Sequence, residues 1–133
     1  MSSLNAFLNP TKVENKEVII SKRFIEKGKI VPFVIRPIGQ EENKQLIKKY
    51  TKKDKKGNDT FDRAEYVSEL TAMAVVSPDL TNSELQGAYG LGISKCLSNM
   101  LYVGEYAELA QEVQFLSGLD EDINEDIEEV KNE

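Results

Sequence analysis

Histidine and tryptophan are absent from these 133 residues, and cysteine occurs once, as Cys96. Without imidazole the chain has no access to the commonest general base, the commonest zinc and copper ligand, or the usual partner of a serine or cysteine nucleophile. A single thiol cannot close an internal disulfide, which agrees with a reducing compartment. No apolar run approaches the roughly 18 residues that a membrane-spanning helix needs. The first ten residues carry neither a basic leader nor a long apolar stretch, so no secretory signal is expected. Aspartate and glutamate alone can hydrolyse glycosides or hold magnesium, but the acid-rich stretches here read as solvated rather than pocketed. The expectation is a chain with no catalytic activity, no cofactor and no metal, acting by binding other proteins in the cytoplasm.

Apolar residues make up 40% of the chain and charged residues 30%, enough hydrophobic material for one modest core. The net charge of −6 conceals a strong asymmetry. Residues 1–63 hold 15 of the 17 Lys and Arg against 8 acids, whereas residues 64–133 hold 2 against 15. Such a chain can pair its own halves, pair with further copies of itself, or steer a charged partner to one end.

Read for organisation, the chain divides into an N-terminal arm (1–15), a single α+β domain (16–118) and an acidic C-terminal tail (119–133). The arm and tail are expected to be mobile. Within the arm, Leu4, Phe7 and Leu8 sit at i, i+3 and i+4, one face of a short helix ended by Pro10. This arm reads either as a frayed end or as an anchor for a partner. Glu17–Ile25 and Ile30–Arg36 are β-branched and aromatic runs around Lys27-Gly28, a β-hairpin. Val31, Phe33 and Ile35 would face the core, and Pro32 argues that this strand has a free edge. A helix is expected over Gly39–Tyr50, with acids in its first turn and lysines in its last, then an exposed loop over Lys52–Thr60.

From Phe61 onward the pattern reads as helical throughout, a small bundle following the hairpin. One helix would run from Asp62 to about Val76, and a second would open at Thr81-Asn-Ser-Glu84 with Leu80 and Leu85 as its staple. Ser94 to about Tyr102 and the stripe Tyr106, Leu109, Ala110, Val113, Leu116 complete it, with Gly118 placed as a helix C-cap. In the tail, Leu119, Ile123, Ile127 and Val130 would give a helix one apolar edge among carboxylates.

Three features imitate chemistry. Gly87-Ala-Tyr-Gly-Leu-Gly92 has neither phosphate-loop spacing and follows no strand. Asp120, Asp122 and Asn124 occupy calcium-loop positions, but Glu125 replaces the glycine and Lys131 the terminal glutamate. Lys44, Lys48, Lys49, Lys52, Lys53, Lys55 and Lys56 form a basic cluster suited to phosphates, with only Tyr50 and Phe61 nearby as aromatic platforms. A nucleic-acid-binding module built on Lys44–Lys56 is therefore an alternative, disfavoured by the acidic whole.

The order of phrases carries more than any one of them. Met1-Ser-Ser-Leu-Asn-Ala-Phe-Leu-Asn-Pro10, Pro32-Phe-Val-Ile-Arg-Pro-Ile38, Glu41-Glu-Asn43 and Leu46-Ile-Lys-Lys-Tyr-Thr51 come first. Val76-Ser-Pro-Asp-Leu80, Leu85-Gln-Gly-Ala-Tyr-Gly90 and Gly104-Glu-Tyr-Ala-Glu-Leu109 follow. Together they resemble the XkdN-like tail assembly chaperones of contractile-tailed phages and PBSX-type prophage elements. The resemblance implies a viral assembly chaperone acting in the host bacterial cytoplasm, with the tape measure protein as its client while the tail tube forms. It further implies contact with the tail tube protein through a longer product of ribosomal frameshifting, and allows a homo-oligomer. A structural tail subunit retained in the virion is the other alternative. The candidate protein-binding residues are Leu4, Phe7, Leu8, Leu119, Ile123 and Ile127.

Overall fold

A short apolar face on a polar arm opens the chain. In the computed structural model, which describes residues 3–119, α1 (Leu4–Leu8) is a five-residue helix with no buried residue. Asn9 closes it, donating its backbone N–H to the Asn5 carbonyl at 2.9 Å and its side-chain amide to Asn5 Oδ1 at 2.8 Å.

The expected hairpin forms as two nested pieces, β1 (Lys16–Val18), β2 (Ile25–Glu26), β3 (Lys29–Ile30) and β4 (Phe33–Ile35). β2 and β3 pair with each other across Lys27 and Gly28, whose φ values of 52° and 78° give the twist-matched two-residue turn. β1 pairs antiparallel with β4, setting Val18 opposite Phe33 on the buried face. Val31 falls before β4 and is 38% exposed, so only Phe33 and Ile35 of the expected inward trio reach the core.

α2 (Gln40–Lys49) follows, with Glu41 and Glu42 in its first turn and Lys48 and Lys49 in its last. The Glu42 carboxylate accepts the Gly39 N–H at 3.0 Å and an N–H from each terminal guanidinium nitrogen of Arg36, at 2.7 and 3.1 Å. Arg36 first, then the Gly39 N–H, holds that carboxyl below its ordinary range. The expected loop over 52–60 is instead a second hairpin, β5 (Thr51–Lys53) and β6 (Asp59–Phe61). Turn chemistry builds it without any core: Asp54 accepts the N–H groups of Lys56 and Asn58, and Gly57 takes φ +83°.

α3 (Arg63–Ala74) begins at Asp62, whose side chain accepts the Glu65 N–H. It stops short of Val76, because Val75–Ser77 is an extended strand, β7, paired antiparallel with β4. Two β-branched valines favour the strand, and Pro78 pushes Ser77 out of helical conformation. This corrects two expectations: the second half is not helical throughout, and β4 has no free edge, being the middle strand of β1-β4-β7. Pro32 precedes the strand, so its missing donor is outside the ladder.

The remaining helices are α4 (Ser83–Tyr89), α5 (Ile93–Met100) and α6 (Val103–Leu116). Asn82 rather than Thr81 caps α4, accepting from Glu84 and Leu85, so Leu85 sits one place earlier in the helix than a staple requires. α6 ends as expected at Gly118 (φ +80°): the Gly118 N–H reaches Phe115 O and the Leu119 N–H reaches Gln114 O. The core lies where α3 packs against α5 on one side and α6 on the other, with the inner face of the sheet closing it. Ile35, Leu70, Leu97, Leu109, Val113 and Cys96 are fully buried there. Thr71, also fully buried, satisfies its hydroxyl on the Val67 carbonyl at 2.7 Å. The architecture is α+β, an N-terminal antiparallel hairpin followed by a mostly helical bundle that returns one strand to the sheet.

Candidate protein-binding interface

Burial sorts the apolar side chains into those that form the core and those that stay exposed. Leu4, Phe7 and Leu8 of α1 are 60%, 80% and 67% exposed, and residues 9–17 leading to the sheet are exposed throughout. The arm therefore presents an apolar face on an exposed tether of chain. Leu119 is 48% exposed just past the end of α6. Ile123 and Ile127 lie outside the described residues. The structure thus gathers Leu4, Phe7 and Leu8 onto one element and leaves Leu119 apart from them, beyond the end of α6.

A second apolar feature was not anticipated. A groove of about 150 Å³ opens between the β3–β4 connection and α4, walled by Phe24, Val31, Pro32, Pro78, Leu85 and Tyr89, with Met100 of α5 also at its edge. Phe24 packs edge-on against Phe33 at 5.5 Å between ring centroids, so one wall is anchored to the buried strand. Its residues come from five separate stretches, and only the pairing of β4 with β7 brings Pro32 and Pro78 together. No local period in the sequence signals that.

One charged cluster fixes the segment carrying Phe24. Arg23 donates to both Glu105 oxygens, at 2.6 and 2.9 Å, and to the Met100 carbonyl at 3.1 Å, with its guanidinium 4.5 Å from the Tyr102 ring centre. Glu105 also accepts the Tyr102 N–H at 2.8 Å. The Arg23 hydrogen bonds, followed by those from Ser21 and the Tyr102 N–H, push the Glu105 carboxyl down to about 2. The residues around the groove are thus held by charge-assisted contacts on the side facing α6.

Among the described residues no cluster of three or more cysteine or acidic side chains is placed to hold a metal ion, and no helix is long and apolar enough to cross a membrane. Cys96 is fully buried, and burial pushes its thiol up, away from the thiolate needed for nucleophilic work. Gly90 and Gly92 take φ values of 139° and 91° in the turn between α4 and α5, a structural use of the glycine-rich stretch. In the lysine cluster, Lys49 is paired with Glu69 at 2.6 Å, while Phe61 packs on Tyr66 at 5.3 Å.

The chain is 30% identical to the Bacillus subtilis (strain 168) phage-like element PBSX protein XkdN over 97% of its own length and 93% of that protein's. It is 33% identical to the B. subtilis protein YqbN over 89% of its length and 83% of that protein's. A crystal structure of YqbN superposes with a TM-score of 0.75 at 26% identity, covering 90% of this chain and 99% of that one. Residues 4–131 match the family described as phage XkdN-like tail assembly chaperone protein, and the chain belongs to that family.

Proposed function

We propose that this protein holds the tape measure protein of its phage or prophage while the tail tube assembles, through apolar contacts and without any catalytic step. The observation that carries the proposal is the α1 arm, whose Phe7 is 80% exposed in a helix with no buried residue. Three exposed apolar side chains on five residues cost solubility and give the fold no burial, which is the mark of a surface kept for a partner. In this reading Leu4, Phe7 and Leu8 grip a helix of the client, and the groove beside Leu85 and Tyr89 accepts a further apolar side chain. Leu119, Ile123 and Ile127 extend the contact.

The same reading divides the chain into an arm (1–15), a folded domain (16–118) and an acidic tail (119–133). It places the protein in the host bacterial cytoplasm, several copies to one client, with the tail tube protein engaged through a longer frameshifted product. The lysine cluster supports nucleic-acid binding poorly, since its two nearest rings are occupied: Tyr50 lies beneath Lys49 and Phe61 packs on Tyr66.

The test is co-expression with the tape measure protein from the same genome. The expected result is a soluble client that co-purifies with the chain, and loss of co-purification in the double variant Phe7→Ser, Leu8→Ser. A client that stays insoluble and fails to co-purify sinks the proposal.

A further inference from the structure

One charged surface remains unused by the contacts described so far. Among the described residues, Lys44, Lys48, Lys52, Lys53, Lys55 and Lys56 take part in none of the ion pairs, which engage Lys16, Arg23, Arg36 and Lys49. On α2, Gln40, Lys44 and Ile47 recur every three or four residues and so share one outer face. There Glu41, Lys44, Ile47 and Lys48 line a shallow groove of about 520 Å³, with Ile47 42% exposed between the two lysines and Glu41 the one acid, in the first turn.

The chain runs out of its described part at one end of that face. The Ile38 N–H donates to Ser117 Oγ at 2.9 Å, tying the end of α6 to the start of α2. Leu119 consequently lies in a recess with Ile38, Gly39, Gln40 and Asn43. Residues 120–133, which follow, carry eight acids against Lys131 alone, with Ile123, Ile127 and Val130 spaced for one helical edge. Acids flank that edge as lysines flank Ile47. Fourteen residues reach at most about 46 Å when extended, more than the roughly 15 Å length of the ten-residue α2, so the segment can run the length of that helix.

We infer that the outer face of α2 is a docking surface for residues 120–133 of the same chain, Ile123 and Ile127 covering Ile47 and the carboxylates meeting Lys44, Lys48, Lys52 and Lys53. Where the segment begins, how far it reaches, and the match of sign and apolar pattern all point to this occupant. The interaction belongs to the chain alone. A client that takes Ile123 and Ile127 competes with it, and that last step alone rests on the proposed function.

Zero-length carbodiimide coupling of lysine amines to carboxylates, applied to the full chain without client, tests it. An equal mixture of ¹⁴N- and ¹⁵N-labelled copies separates contacts within one chain from contacts between chains. The expected products join Lys44 or Lys48 to acids of residues 120–133 within one copy. Their yield should exceed that of the exposed Lys95 with the same acids by at least about fivefold, reflecting a high effective concentration. Ile47→Asp and, separately, Ile127→Ser should each remove that excess while near-ultraviolet circular dichroism, which reports only the aromatic residues of the rest of the chain, stays unchanged. Yields from Lys44 and Lys48 no greater than from Lys95, an excess insensitive to both substitutions, or mixed-isotope products predominating would each overturn the inference. None of those outcomes bears on whether the tape measure protein binds.

Discussion

Leu97 and Phe7 stand at opposite ends of the division between folding and binding, and substituting each tests it. Leu97, on α5, is fully buried, and its helix packs against both α3 and α4. Truncation to alanine removes three carbons, about 2.4 kcal/mol at roughly 0.8 kcal/mol per buried methylene. A residual void of roughly 60 Å³ at about 24 cal/mol per Å³ adds about 1.4 kcal/mol. Leu97→Ala should therefore cost about 4 kcal/mol, a large share of the roughly 5–15 kcal/mol that holds a domain together. At about 4 °C per kcal/mol the melting temperature should fall by about 15 °C. In urea the midpoint should move while the slope is unchanged. Phe7→Ala, on a side chain 80% exposed, should move stability by no more than about 0.5 kcal/mol. A Leu97→Ala loss below about 1.5 kcal/mol, or a Phe7→Ala loss comparable with it, would refute the assignment of the core to α3, α5 and α6 and of the arm to binding.

Other expectations follow from single contacts. The Glu105 carboxyl is held at about 2, so its contribution to stability is complete above about pH 4.5, its unfolded range, and disappears as pH falls toward 2. Glu105→Gln should flatten the decline of stability across that window, and an unchanged acid limb would count against the Arg23 clamp. Asn82 accepts from two backbone N–H groups at the start of α4, so Asn82→Ala should cost about 1 kcal/mol by chemical denaturation. Cys96 is sealed in the core, so alkylation of the native protein should track unfolding, and rapid labelling under native conditions would contradict its burial.

The sequence reading succeeded wherever one element's own pattern decides its state. α2 was legible from its acid-first, lysine-last charge order, α6 from its apolar stripe, and Gly118 from the demand for positive φ beyond a helix end. It failed where pairing with distant chain decides. Val75–Ser77 continues the apolar run of α3 smoothly, and only its ladder with β4 shows why it is extended. The same pairing covers the edge that Pro32 had suggested was open, and creates the groove between Pro32 and Pro78. The β5–β6 hairpin escaped notice because it buries nothing, so no apolar alternation marked it, although Asp54 and Gly57-Asn58 held the turn signal. Of the candidate contact residues, the arm trio was visible as a helical face. Whether that face turns inward is a tertiary fact, and the structure leaves it exposed.

A photo-reactive amino acid placed at Phe7, at Leu85 in the groove, or at Glu108 on α6, in the chain co-expressed with its tape measure protein, tests the central claim most directly. Glu108 is exposed and serves as the reference position. The account predicts covalent adducts with the tape measure protein from Phe7 and Leu85 and little from Glu108. Equal labelling at all three positions, or none from Phe7 and Leu85, would contradict it.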